Sequence, residues 1–214
     1  MPTPAQPAEQ QADRAVNPAL DVVALRARLR REKIAARLSL APDEHRRASA
    51  ALEEQLARQV GVLPVGTLAF CWPIRAEFDA RPLVVRLLAA GWRAAVPTVV
   101  ERDAAMIFRL WTPQTPMSVD PFGIPVPAAG SACVIPDLLL LPLVAFDAQG
   151  FRLGYGGGYF DRTLAAMRPR PLAFGVGFEL ARALSVCPQR HDIPLDAVVT
   201  EAGTRAFARP PDAA

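Results

Sequence analysis

Six of the seven residues from 138 to 144 are leucine or valine, and five glycines follow within the next fourteen positions. Leu138, Leu139, Leu140, Leu141, Leu143 and Val144 lie within the stretch Val134 to Phe146, with no polar alternation that would leave one face wet. Such a run is a strand covered on both faces, the situation of a parallel sheet with helices above and below it. Pro136, Asp137 and Pro142 interrupt it, and it falls short of the roughly 20 apolar residues a membrane span needs.

Gly150, Gly154, Gly156, Gly157 and Gly158 then lead into Tyr159, Phe160, Thr163, Leu164 and Met167, which recur at helical spacing, so a helix is expected from about Gly158. A strand, a glycine loop and a helix start together suit an anion. Glycine permits positive φ and lets N–H groups turn outward, and the helix start adds partial positive charge. Arg152 would add a full one. The spacing is neither that of a P-loop, since no Lys-Ser or Lys-Thr pair follows, nor that of a dinucleotide fold, since Tyr159 replaces the third glycine. Read alone, the loop stays open between a phosphate cradle and an ordinary tight turn.

Helical periodicity is clear over 22–38 and 43–60, where Pro42 and Asp43 are start signals. A strand at 65–72, a helix at 79–90 closed by Gly91 and a strand at 93–100 make a right-handed βαβ unit. Residues 106–111 read as a hairpin partner or edge strand. Pro113, Pro116, Pro121, Pro125 and Pro127 mark a long irregular connection, and 172–178 and 197–200 read as later strands. The expected class is α/β, a three-layer α/β/α fold with a largely parallel sheet and ligands at the carboxyl ends of its strands. Trp72, Glu77 and the glycine loop all follow strand ends, which favours one cleft.

Residues 1–20, rich in Pro, Ala and Gln and without an apolar signal core, are expected to be a disordered extension. Residues 21–207 form one domain, and 208–214 a loose tail. Lys and Arg total 24 against 21 Asp and Glu, so the net charge of +3 does not demand nucleic acid. No clustered basic-aromatic stripe suggests it either. The basic run Arg26, Arg28, Arg30, Arg31, Lys33 and Arg37 reads largely as a solvated helix face. Cys71, Cys133 and Cys187 are odd in number and widely spaced, which suggests neither disulfides nor zinc and fits a reducing cytoplasm. No membrane attachment is expected, and a monomer is.

Four segments carry a more specific signal. Leu141-Pro-Leu-Val-Ala-Phe-Asp147, Gly150 and Arg152-Leu-Gly-Tyr-Gly-Gly-Gly-Tyr-Phe-Asp161 form the first. Leu25 to Arg37 with Leu40-Ala-Pro-Asp-Glu44, Phe70-Cys-Trp-Pro-Ile-Arg-Ala-Glu77 with Asp79 and Arg81-Pro-Leu83, and His191-Asp-Ile-Pro-Leu-Asp196 before Ala197 to Glu201 are the others. In this order they resemble the 5-formyltetrahydrofolate cyclo-ligase family, also called methenyltetrahydrofolate synthetase, over roughly residues 22–203.

The resemblance implies the architecture shared by ribose-phosphate isomerases and coenzyme A transferases. It also implies ATP- and Mg²⁺-dependent closure of 5-formyltetrahydrofolate to 5,10-methenyltetrahydrofolate. Carried over by position, Arg152, Leu153, Gly154, Tyr155, Gly156, Gly157, Gly158 and Tyr159 would bind ATP together with Arg30 and Arg26, the last standing where lysine is usual. Arg152 and Tyr159 would be catalytic. Trp72, Glu77, Tyr155 and Tyr159 would hold the folate, and Asp161 and Asp192 the magnesium. Each has a plainer reading: Trp72 as core, Glu77 as a solvated loop residue, Asp161 as a first-turn carboxylate and Asp192 as a turn residue. A binding module that lost turnover, and a sugar-phosphate isomerase on the same fold, are the competing functions.

Overall fold

The computed structural model describes residues 18–209. Helix α1 spans Pro18–Leu38 and α2 Pro42–Gly61; then β1 Thr67–Phe70, α3 Arg81–Ala89, β2 Arg93–Thr98 and β3 Ile107–Trp111 follow. Strands β4 Met117–Val119, β5 Pro125–Pro127, β6 Leu138–Pro142, β7 Ala145–Phe146 and β8 Arg152–Leu153 come next. The chain closes with α4 Tyr159–Ala166, β9 Leu172–Val176, β10 Ala197–Thr200 and β11 Gly203–Ala206. Residues 18–20 are thus helical, while the rest of the expected extension and the tail beyond Arg209 lie outside the described residues.

Seven strands form the main sheet in the order β11-β10-β9-β6-β1-β2-β3. The five inner strands run parallel, and β11 and β3 pair antiparallel at the two edges. Strand period explains the layers, because alternate side chains point to opposite faces. Leu68, Phe70, Ala94, Val96, Leu138, Leu140, Phe174 and Val176 meet Leu52, Leu56 and Val60 of α2 and Leu83 and Val84 of α3 in one core. Ala69, Ala95, Leu139, Leu141, Ala173 and Val198 meet Leu164 of α4 in the other. Gly175 belongs to the second face, where a Cβ would lie 2.4 Å from Leu143 Cδ2 and 2.5 Å from Leu195 Cδ1.

Strand β1 lies between β2, which follows it through α3, and β6, which comes much later. The chain therefore departs in opposite directions from β1 and β6, and a crevice opens at their carboxyl ends. The loop bearing Trp72 and Glu77 leaves β1; the stretch bearing the glycines follows β6.

Three local expectations change. The apolar run divides, with β6 in the main sheet and β7 turning away to pair with β8. The proline-rich connection holds a hairpin of β4 and β5, a two-stranded ribbon outside the main sheet that tolerates Pro125 and Pro127, which have no N–H to donate. Strand β11 was not anticipated, because its half-buried Thr204 and exposed Arg205 lack an apolar signature.

Candidate active site

Helix α1 runs along the carboxyl ends of the strands with a cationic face turned inward. Arg26, Arg30, Lys33 and Arg37 follow a spacing of four, three and four, which places them on one side of the helix. Arg26 bonds Asp192 at 2.5 and 3.3 Å and the Cys187 carbonyl at 3.0 Å. Arg30 Nε donates to the Gly154 carbonyl at 2.8 Å, and Lys33 to the Leu180 and Arg182 carbonyls at 2.7 and 2.6 Å. Arg37 reaches Arg75 O, Leu143 O and Tyr155 Oη at 2.9, 3.1 and 2.7 Å. The expectation of a largely solvated basic face holds for Arg28 and Arg31 alone among these six residues. Main-chain carbonyls of the surrounding loops receive most of that side, and Leu29 packs beside Ala145, Leu153 and Val186.

The glycine loop is held open by two left-handed residues, Gly156 at φ 104° and Gly158 at φ 64°, the second of which starts α4 with no side-chain cap. An L side chain is strained at either angle. Among the described residues, the amides of Tyr155, Gly156, Gly157 and Gly158 donate to no protein acceptor. Arg30 lies against Gly156, its Cζ 3.6 Å from where a Cβ would stand, with no carboxylate in ion-pair range among the described residues. Burial, and then the charge of Arg26, weaken the hold of Arg30 on its proton, so an anion beside it would be welcome. Arg162, a residue the sequence reading passed over, bonds the Gly157 carbonyl at 2.7 Å and lies over the Tyr159 ring at 4.9 Å.

Arg152 lies beneath this loop, buried, bonded to Ile193 O at 2.9 Å and to Asp161 Oδ1 at 3.0 Å. The same Asp161 oxygen accepts the Ile193 amide at 3.0 Å, so Asp161 is anchored to the residue that follows Asp192. Asp161 Oδ2 has no hydrogen-bond partner among the described residues, whereas both oxygens of Asp192 face Arg26 and one also accepts the Gln189 amide. Burial opposes the charge on Asp192, yet the bonds from Arg26 and Gln189 outweigh it and hold the carboxyl below its ordinary range. Among the described residues no cluster of three His, Cys, Asp or Glu side chains could hold a metal. A two-carboxylate site is what magnesium commonly uses, completed by water and phosphate oxygens. Asp161 has an oxygen open for that need, whereas both oxygens of Asp192 are taken by Arg26.

On the other side of the crevice, Glu77 is buried rather than solvated. Its Oε1 accepts the Tyr155 hydroxyl at 2.7 Å and its Oε2 the Ile74 amide at 3.0 Å. Burial raises the Glu77 carboxyl above its ordinary value despite these bonds and the nearby Arg37. Trp72 packs against Phe70 and Trp111, with the Arg81 guanidinium 4.7 Å over its ring. Tyr159 meets Phe122, from the turn between β4 and β5, edge-on at 5.9 Å.

The site thus gathers Arg26, Arg30, Asp161, Asp192 and the glycine loop at one end and joins Glu77 to them through Tyr155. A sequence model of the 5-formyltetrahydrofolate cyclo-ligase family matches residues 22–201. The chain belongs to this family. It is 31% identical over 172 residues to the 5-formyltetrahydrofolate cyclo-ligase of Escherichia coli (strain K12), a match covering 77% of this chain and 93% of the relative. The NMR structure of Aquifex aeolicus 5,10-methenyltetrahydrofolate synthetase superposes with a TM-score of 0.71 at 28% identity, covering 89% of this chain and 96% of that one. The corresponding synthetase of Mycoplasma pneumoniae shares the fold, with a TM-score of 0.67 at 22% identity, covering 82% and 98%. As a cyclo-ligase family member the chain is an enzyme, and its mostly parallel α/β sheet is the family's. No helix among the described residues is long and apolar enough to cross a membrane.

Sequence reasoning missed Lys33, Arg37 and Arg162 as site-building residues. For Arg37 a signal existed: its helical spacing from Arg26 and Arg30 puts it on the same face.

Proposed function

We propose that this cyclo-ligase uses ATP to phosphorylate the formyl oxygen of 5-formyltetrahydrofolate and then closes the ring. The supporting observation is that, among the described residues, the amides at 155–158 find no protein acceptor and Arg30 beside them has no carboxylate in ion-pair range. Free amides in a glycine turn at a helix start, with an uncompensated cation beside them, are suited to phosphate oxygens.

In this reading Arg30, Leu153, Gly154, Tyr155, Gly156, Gly157, Gly158 and Tyr159 hold the triphosphate. Arg26 lies at its edge, and Arg152 lends charge from below while it fixes Asp161. Trp72 and Glu77 hold the folate, the carboxylate accepting N–H groups of the pterin, and Tyr159 borders the formyl group. Arg81 already covers one face of Trp72, so a flat ring would have to take its place or pack on another part of the half-buried indole. The formyl oxygen attacks the γ-phosphorus and ADP leaves. The N10 lone pair then attacks the activated carbon, phosphate departs with the former formyl oxygen, and N10 gives up its proton to yield the methenyl cation.

Positioning and charge neutralisation supply most of the catalysis in such a transfer. Asp161 and Asp192 would hold Mg²⁺, which would neutralise charge on the transferring phosphoryl group. The chain's own part is to orient. Arg152 and the Ile193 amide prevent Asp161 from turning away, and the amides of 156–158 fix the terminal phosphate without reorganisation.

Purified protein mixed with 5-formyltetrahydrofolate, ATP and Mg²⁺ should generate methenyltetrahydrofolate absorbance with one ADP and one phosphate per product. Omitting ATP should stop it. Equal turnover without ATP would overturn the phosphorylation step.

A further inference from the structure

Two consecutive non-glycine residues just ahead of Glu77, Arg75 at φ 50° and Ala76 at φ 59°, occupy the left-handed region. Each is strained there, and such conformations persist only where surrounding contacts over-determine them. The contacts are specific. Arg37 Nε donates to Arg75 O at 2.9 Å, His45 Nε2 lies 3.0 Å from Ala76 O, and Glu77 closes a turn on Ile74 with 3.0 Å bonds in both directions.

Arg37 does more than hold that turn. Its side chain is 5% exposed, and each of its three nitrogens meets a different segment. Nε binds the loop after β1, NH1 binds Leu143 O just after β6, and NH2 binds the Tyr155 hydroxyl of the glycine loop, which donates onward to Glu77. A planar guanidinium fork can point at three acceptors in one plane, which the compact ammonium of lysine cannot copy.

We infer that Arg37 is a positioning residue that locks the Glu77 loop to the glycine loop through Tyr155, and so fixes the distance between the folate and nucleotide ends of the cleft. It touches neither substrate. The inference rests on the assignment of Glu77 to folate made above. Nothing in a hydropathy pattern suggests it, because Arg37 reads there as one of several surface arginines.

The charged and titratable groups around the Glu77 carboxyl are Arg37 and Lys33 from α1, Tyr155 from the glycine loop, Cys71 at the end of β1 and Arg75 of its own turn. Arg37 and the Tyr155 hydroxyl both favour the ionised carboxylate, against burial. Loss of either should move the Glu77 titration to higher pH, an effect that a general loss of folded protein does not produce.

The test compares the pH profile of kcat/KM for 5-formyltetrahydrofolate in wild type, Glu77→Gln, Arg37→Gln, Arg37→Lys and Tyr155→Phe. The wild-type limb that Glu77→Gln abolishes should shift alkaline in Arg37→Gln and Tyr155→Phe. In Arg37→Lys the limb should stay near its place, with kcat down at least tenfold because the fork is lost. Tyr155→Phe spares two of the three Arg37 bonds, so it decides the matter if Arg37→Gln does not fold. An unmoved limb in Tyr155→Phe, or wild-type kcat in Arg37→Lys, would overturn the lock while leaving Glu77 at the folate. A Glu77→Gln profile identical to wild type would instead remove Glu77 from the folate site, and the lock's purpose with it.

Discussion

Arg26 and Asp192 lie 166 positions apart in sequence and meet in an ion pair of 2.5 Å, with a second bond of 3.3 Å. The pair joins the start of the inward face of α1 to the segment after Gln189, and both side chains are largely buried. A bidentate guanidinium occupies both carboxylate oxygens, whereas an ammonium would contact one.

Replacement of Arg26 by lysine should therefore free an Asp192 oxygen. The magnesium concentration for half-maximal cyclisation is expected to fall about threefold or more, which is about 0.7 kcal/mol of binding. A magnesium titration that coincides with wild type would show that Asp192 does not meet the cation.

Asp161→Ala removes the carboxylate whose Oδ2 is open and leaves buried Arg152 without its partner. Cyclisation should drop more than tenfold at saturating ATP and recover in part with added magnesium, the tenfold corresponding to about 1.4 kcal/mol of transition-state binding. Activity within about twofold of wild type would take Asp161 out of the site.

Arg30→Ala should raise the KM for ATP more than tenfold and change that for 5-formyltetrahydrofolate less than about twofold, because only the nucleotide end loses a cation. Equal effects on both substrates would argue against a phosphate role. Arg30 also holds the Gly154 carbonyl, so thermal unfolding is to be recorded alongside.

Glu77 sets a pH dependence of stability. Burial raises its folded value above the ordinary 4.5, so between those two values the folded chain holds a proton that the unfolded chain has released. Stability contributed by the protonated form is complete below the unfolded value and declines as pH rises through the window. Denaturant titrations of wild type and Glu77→Gln from about pH 4 to about pH 7 should show the difference moving in favour of the variant as pH rises. Parallel curves would refute the burial argument.

Gly175→Ala tests the packing under the site. Its Cβ would meet Leu143 and Leu195 at distances no relaxed contact allows. Overpacking of this kind costs about 1–3 kcal/mol, to be read from the denaturation midpoint. An unchanged midpoint would mean that Leu143 moves freely.

Much of this architecture was legible before any coordinates. The alternation of strands and helices, the doubly covered leucine run and the helix start at Gly158 follow from periodicity, because apolar burial dominates where a sheet has helices on both sides. For Arg37 only the helical spacing was legible, and for Lys33 not even its role, since their partners, main-chain carbonyls and the Tyr155 hydroxyl, come from segments that only the finished fold brings together. A cationic face looks solvent-bound unless those acceptors are known. Strands β4, β5 and β11 were missed for a related reason: short Pro-, Thr- and Arg-bearing segments pair because of what lies beside them. Tyr155 was expected at the ATP and folate, and its hydroxyl lies between Arg37 and Glu77, a role that no sequence pattern marks.

A crystal structure of the protein with a non-hydrolysable ATP analogue and Mg²⁺ tests the central claim most directly. The account predicts phosphate oxygens within hydrogen-bond distance of the 156–158 amides and Arg30, with the cation on Asp161 Oδ2. A triphosphate seated elsewhere, with those amides still unpartnered, would contradict it.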